Sequence, residues 1–215
     1  MDNEHKKDLN PELSIVVPLY NEGSHLVESI NKIFAAIVDS LESVEFILID
    51  DGSSDNTWDE IKRLASDNAE ITSKGFKLSR NFGKEGAMSC GIEHAKGRAV
   101  IIMDGDLQHP PSLIPLMLES WRSGAKVVEG IKSDRGRESA LMKWAATKYY
   151  LLLKNLSGLE LANSSDFKLL DRSVVDQWLN FGEASMFFRG TVDWLGHPPA
   201  QIKFEVADRV GGETA

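Results

Sequence analysis

One cysteine in 215 residues, Cys90, leaves no pair for an internal disulfide, and a chain of this length buries a sizeable core without staples. That usage suits a reducing compartment. No run approaches the roughly 18 to 20 apolar residues that span a bilayer, and no basic-then-apolar signal opens the chain. The sequence as given therefore reads as a soluble polypeptide, with "MDNEHKKDLNPE" as a polar, flexible tail over residues 1–12. Repeats and low-complexity tracts are absent too. Basic residues are outnumbered, 24 against 33 acidic, and the net charge of −9 argues against a general nucleic-acid binder. The deficit is local: residues 1–120 hold 21 acids against 11 bases, a balance of −10, and residues 121–215 hold 12 against 13, a balance of +1. One part suits cations and the other anions, unless both are simply solvated faces.

Three nucleotide or metal motifs are also missing. The first apolar strand is followed by "PLYNEG", not by the glycine-rich turn of a dinucleotide fold, and no P-loop ending in Lys-Ser or Lys-Thr occurs. An EF-hand beginning at Asp104 would need glutamate where Pro115 stands.

What is present is an alternation of buried strands and amphipathic helices. "LSIVVPLY", "VEFILIDDG", "GFKLSRN", "RAVIIMDGD" and "AKVVEGI" read as strands. Between them, "SHLVESINKIFAAIVDSL" places Leu26, Ile30, Ile33, Phe34 and Ile37 on one helical face. "WDEIKRLASDN" follows a capping box, Thr57 with Glu60, and "KEGAMSCGIEHAKG" is a helix closed by Gly97. Pro110, Pro111 and Pro115 frame the start of "SLIPLMLESWRSG". Near-continuous aliphatic strands separated by helices predict an α/β fold with a mostly parallel sheet covered on both faces over residues 13–131. Beyond it, "ESALMKWAATKYYLLLKNLSG" and "RSVVDQWLNF" read as helices and "AQIKFEVADR" as a late strand, an elaboration on the same sheet.

Ligands of open parallel sheets bind beyond the carboxyl ends of the strands. Here three such ends are polar or acidic: "PLYNE", "DDGSSD" and "DGDLQH". Taken alone, Asp50, Asp51 and Asp55 read as turn and cap residues. Asp104 and Asp106 differ, because like charges one residue apart repel unless a cation lies between them. Mg2+ or Mn2+ with oxygen ligands is the economical answer, and Gln108 adds an amide oxygen from the same turn. His109 could serve Mn2+ but reads first as a loop histidine.

With "VVPLYNE", "LIDDGSSDNT", "RNFGKEGAMSCGIEHAKG" and "MDGDLQHPP" in order, the chain resembles the family 2 glycosyltransferases of GT-A fold, which are Rossmann-like. The later "SSDFKLLDR", "FFRGTVDWLG" and "DRVGGET" look like the polyprenyl-phosphate sugar transferases, the dolichyl-phosphate mannose synthases and, more closely, the bactoprenol glucosyltransferases. The resemblance covers residues 13–215 as a single domain, with a nucleotide-sugar part (13–131) and an acceptor part (132–215). It implies a nucleotide-sugar donor, a UDP-sugar by preference, and Mg2+ or Mn2+ as cofactor. Pro18, Tyr20, Glu22 and Asp51 would line the base and ribose pocket with Asp50 as support and Lys84 near the nucleotide. Asp104 would reach the ribose or metal side, and Asp106 and Gln108 would hold the metal between the donor phosphates. Asp166 and Arg189 would surround the transferred sugar and acceptor phosphate, as catalytic residues together with Asp104. Lys132, Arg135 and Arg209 would join Arg189 around the phosphate of a polyprenyl acceptor.

The resemblance also implies an inverting displacement in which an already ionised lipid phosphate attacks without a strong base. Relatives of this type continue past the "GET" motif into membrane segments, so the expectation is a domain cut before them, working at the cytoplasmic face of the cell membrane. The helix carrying Lys143, Lys148 and Lys154 reads either as a core helix with snorkelling lysines or as one lying near the bilayer. A homo-oligomer is compatible with the sequence. Two rivals stand beside this reading: a transferase acting on a sugar hydroxyl, and a non-catalytic nucleotide-sugar-binding module.

Overall fold

The computed structural model describes residues 10–41, 43–67, 71–132, 165–181 and 188–204. In chain order these form β1 (Leu13–Leu19), α1 (Leu26–Ile37), β2 (Val44–Asp50), α2 (Thr57–Asp67), β3 (Ser73–Lys77), α3 (Lys84–His94), β4 (Ala99–Ile102), α4 (Ile114–Arg122), β5 (Val127–Lys132), β6 (Lys168–Asp171), α5 (Arg172–Asn180), α6 (Phe188–Trp194) and β7 (Ala200–Phe204). The strands make one sheet in the order β3-β2-β1-β4-β6-β5-β7. Every pairing is parallel except those of β6, which runs against both β4 and β5.

The alternation of side chains along each strand explains why these strands are apolar throughout. Ile15, Val17, Phe46, Leu48 and Ile101 point to the face covered by α1, α2 and α4. Val16, Ile47, Ile49, Val100 and Ile102 point to the other, covered by α3, α5 and α6. The expected face of α1 is buried at Leu26, Ile30, Ile33 and Ile37, with Phe34 packed at its edge. Among the described residues no helix is long and apolar enough to cross a membrane.

Several local expectations change. The strand expected at 75–81 is β3 at Ser73–Lys77, because beyond Lys77 only one ladder bond remains, from Leu78 N–H to Asp50 C=O. Thr57 is the first helical residue of α2, and its hydroxyl donates to Asp55 while Asp55 also accepts from Thr57 N–H at 2.9 Å. Asp55 thus does the capping, and Glu60 pairs with Arg63 at 2.6 Å. Gly97 does not close α3, whose last turn ends at Ala95 in an extended conformation. It is needed because a Cβ there would strike Ser14 N, Ala99 O at 2.6 Å and Leu13 C at 2.8 Å, all backbone of the two adjoining strands. Strand β6 and helix α6 were not anticipated. The helix expected at 138–158, with its lysines, lies outside the described residues, as do residues 1–9 of the tail expected over 1–12 and residues 205–209 of the expected late strand; Glu12, at the end of that tail, is buried and held by Arg122 at 2.8 Å.

Gly97→Ala should therefore lower stability by about 2 kcal/mol, the usual cost of forcing a methyl into packed backbone. A urea-unfolding midpoint equal to that of the unsubstituted protein contradicts this account.

Candidate active site

The chain goes outward from β1 to β2 and β3, then returns to place β4 on the other side of β1. This reversal of strand order opens a crevice at the carboxyl ends of β1 and β4. Pro18 sits where it opens. Pairing of β1 with β4 ends at Val16, whose C=O accepts from Met103 N–H, and residue 18 faces the same side two places on. Its missing N–H therefore costs no ladder bond.

The loops at this end are locked together. Asn21 N–H donates to Ser53 Oγ at 2.9 Å, and Asn21 Oδ1 accepts from Ser54 N–H at 2.9 Å. Glu22 N–H reaches Thr57 Oγ1 at 2.9 Å and Gly23 N–H reaches Asp55 Oδ2 at 3.1 Å. Across the crevice, Gly105 gives room to Glu22: a Cβ at position 105 would lie 2.5 Å from Glu22 Oε2. Among the described residues the non-glycine positions with positive φ are Asn21 (54°) and Leu107 (57°), one in each loop. Left-handed backbone at a leucine costs roughly 1–2 kcal/mol, and the burial of the Leu107 side chain in the core holds it there. Such strain gathers at functional sites.

The structure places most of the expected donor residues around this crevice. Tyr20 is 40% exposed at its mouth. Asp50 is fully buried, accepting from Ser53 N–H at 2.8 Å and pairing with Lys77 at 3.3 Å. Asp51 is nearly as buried and accepts from Phe82 N–H at 2.7 Å, which draws the loop before α3 over the end of β2. Asp106 accepts from Gln108 N–H at 3.1 Å, so both side chains arise from one turn. His109 lies against Phe167, ring centroids 4.9 Å apart and 23° from parallel, with Phe204 edge-on at 5.4 Å. That makes it an anchor for the loop.

At the centre is Lys84, the first residue of α3. Its ammonium is 2.7 Å from Asp104 Oδ1 and 2.9 Å from Asp166 Oδ2. Asp104 lies two residues beyond Ile102, and Asp166 two residues before Lys168, the partner of Ile102 in the antiparallel register. The reversal of β6 thus brings together carboxylates that stand 62 positions apart in the chain. Burial pulls the Lys84 ammonium down, but the two carboxylates outweigh it and hold it above the ordinary lysine range.

Of the expected acceptor residues, Lys132 ends β5 and Arg189 is the second residue of α6, while Arg135 and Arg209 lie outside the described residues. Sequence reasoning missed Glu85, which accepts from Phe188 N–H at 2.9 Å and so ties the start of α6 to α3. It also missed the exposed Phe82, on whose ring Arg80 lies at 4.9 Å. A third omission is the buried pair of Lys168 and Glu129, 2.6 Å apart. A lysine in an apolar strand, in "FKLL", was the available signal for the last.

The donor set at the β4 turn fits a hard divalent cation, since Asp104, Asp106 and Gln108 offer oxygen only. Among the described residues no three His, Cys, Asp or Glu side chains converge as a ready cage. Mg2+ sites completed by substrate phosphates need only one or two carboxylates.

An acid-lined crevice at a reversal of strand order is where an open parallel sheet binds its ligand, and the comparisons identify the family that carries this one. The model of glycosyl transferase family 2 matches residues 14–179, and the chain belongs to that family, with a GT-A fold. It is 32% identical over 202 residues to the uncharacterized glycosyltransferase YkcC of Bacillus subtilis, covering 94% of this chain and 62% of the relative. It is 35% identical over 208 residues to the prophage bactoprenol glucosyl transferase homolog of Escherichia coli, covering 94% and 66%. The chain thus spans less than two thirds of the length of either. Its fold is similar to that of glucosyl-3-phosphoglycerate synthase from Mycobacterium tuberculosis, solved with Mn2+, UDP and phosphoglyceric acid, with a TM-score of 0.60 at 21% identity over 94% of this chain and 72% of that one.

Lys84→Met should lower the unfolding midpoint of the ligand-free protein by leaving Asp104 and Asp166 facing one another. A lysine pKa that is raised on folding contributes fully below its unfolded value near 10.4, and the contribution is lost only as pH rises through the folded value. The deficit of the variant should accordingly be equal at pH 6.5 and pH 9; a deficit gone by pH 9 refutes the assignment.

Proposed function

We propose that this chain transfers a hexose from a nucleotide sugar, UDP-glucose first, to a polyprenyl phosphate such as undecaprenyl phosphate, with inversion at the anomeric carbon and with Mg2+ or Mn2+. The observation that carries the reading is the meeting of Asp104 and Asp166 on Lys84. It joins the acidic donor end of the sheet to the part of the chain that contains Arg189. The bactoprenol glucosyl transferase name of the Escherichia coli relative supports the choice of sugar and acceptor.

In this mechanism Pro18, Tyr20, Glu22 and Asp51 receive the nucleoside, with Asp50 buttressing the turn. Asp106 and Gln108, with Asp104, would hold the cation, which when bound would supply positive charge to the nucleoside diphosphate leaving group. Asp166 already shares a lysine ammonium, an arrangement suited to orienting the sugar or acceptor rather than to removing a proton. A lipid phosphate is an anion near neutral pH and attacks without proton removal, so the chemistry and the carboxylate's surroundings match. Lys132, Arg135, Arg189 and Arg209 supply the positive charge that receives that phosphate, in agreement with the change of charge balance after residue 120. The rate then comes from in-line positioning and electrostatics. A lipid acceptor places the work at the cytoplasmic face of the cell membrane, with no role for nucleic acid.

The test is a panel of UDP-glucose, UDP-N-acetylhexosamine and GDP-mannose with undecaprenyl phosphate, with either cation, reading released nucleoside diphosphate and lipid product. UDP-glucose should give glucosyl lipid, and Asp106→Ala and Asp166→Asn should each reduce transfer by about 100-fold or more. Wild-type rates in both variants, or transfer only to sugar hydroxyls, would sink the proposal.

A further inference from the structure

Asp166 stands just ahead of β6, and the segment that carries it is gripped by an ion pair buried in the sheet. Lys168 is fully buried and Glu129, opposite it in the β5–β6 register, is 3% exposed. Glu129 Oε1 accepts from Lys168 Nζ at 2.6 Å and from Ser165 N–H at 2.6 Å. One carboxylate oxygen thus holds the chain on both sides of Asp166 and Phe167. Asp193 of α6 lies 3.9 Å from Lys168, and burial pushes its carboxyl above the ordinary aspartate range. Phe167 is pinned separately, packed over Gly130 and against His109.

A buried ion pair is a poor source of stability, because desolving two charges consumes most of their attraction, and apolar replacements of similar size are often neutral or stabilising. The position of this pair points to geometry instead. On the transfer reading above, Asp166 faces the reacting centre, and a displacement of about 1 Å in such a group can cost 100-fold in rate. We propose that Glu129 is a positioning residue for Asp166, acting through the Ser165 N–H with Lys168 as its counter-ion.

The experiment compares Glu129→Leu/Lys168→Met, Glu129→Gln/Lys168→Met and Asp166→Asn in the full chain. Unfolding midpoint, UDP affinity in Mn2+ by calorimetry, and kcat and KM for donor are measured on each. The leucine pair should fold, with a midpoint lowered by no more than one unmet Ser165 N–H, and bind UDP with unchanged affinity, with kcat at least about 10-fold lower. The glutamine pair restores an acceptor for the Ser165 N–H without charge and should regain most of that loss. The inference is overturned by a wild-type kcat in the leucine pair, by no recovery in the glutamine pair, or by UDP affinity falling in step with rate. If the leucine pair does not fold, Glu129→Met/Lys168→Met replaces it, and failure of both to fold also overturns the inference by making the pair a requirement of stability. Asp166→Asn separates the two levels. Full activity there removes the role of Asp166 and this inference with it, whereas loss there beside a wild-type leucine pair removes the positioning role alone.

Discussion

The reversed strand β6 is the constraint on which the site depends. In a sheet whose other strands all point one way, carboxyl ends gather at one rim and amino ends at the other. A residue preceding a parallel strand would therefore lie at the rim away from the crevice. Because β6 runs antiparallel between β4 and β5, the residue before it arrives at the crevice rim, level with the residue after β4. Asp166 meets Asp104 for that reason, and Lys84, brought to the same point by the start of α3, pairs with both.

The two neighbouring loops are held with comparable economy. Asn21, Ser53, Ser54, Asp55 and Thr57 cross-link the ends of β1 and β2 with their side chains, so neither loop has an independent conformation. The β4 turn is set differently, by a buried leucine in a left-handed conformation and a histidine stacked on Phe167. The residue next to Asp166 thereby anchors the loop that carries Asp106 and Gln108. The β4 turn and the segment entering β6 are in contact through aromatic packing on one face of the sheet and through an ammonium on the other.

Much of this was legible in the residues. Continuous aliphatic runs such as "SIVVPL" and "FILID" mark strands covered on both faces, and acids clustered directly after them mark the rim. Boundaries were less legible where a residue type has two uses. Gly97 resembles a helix terminator but serves a close approach between backbones, and Thr57 resembles a cap but is itself capped by Asp55. Strand β6 was hidden because "KLLD" is short and begins with a lysine, whose buried counter-ion lies 39 residues earlier in β5.

By itself the sequence determined the layer architecture, the acidic rim and the family to which the chain belongs, since periodicity and local motifs act over a few residues. Only the tertiary structure decided that Lys84 joins Asp104 to Asp166, that Glu129 holds the approach to Asp166, and that His109 packs as an anchor. Those contacts depend on the order and direction of strands, and strand pairing between distant segments leaves no periodic trace in either segment alone.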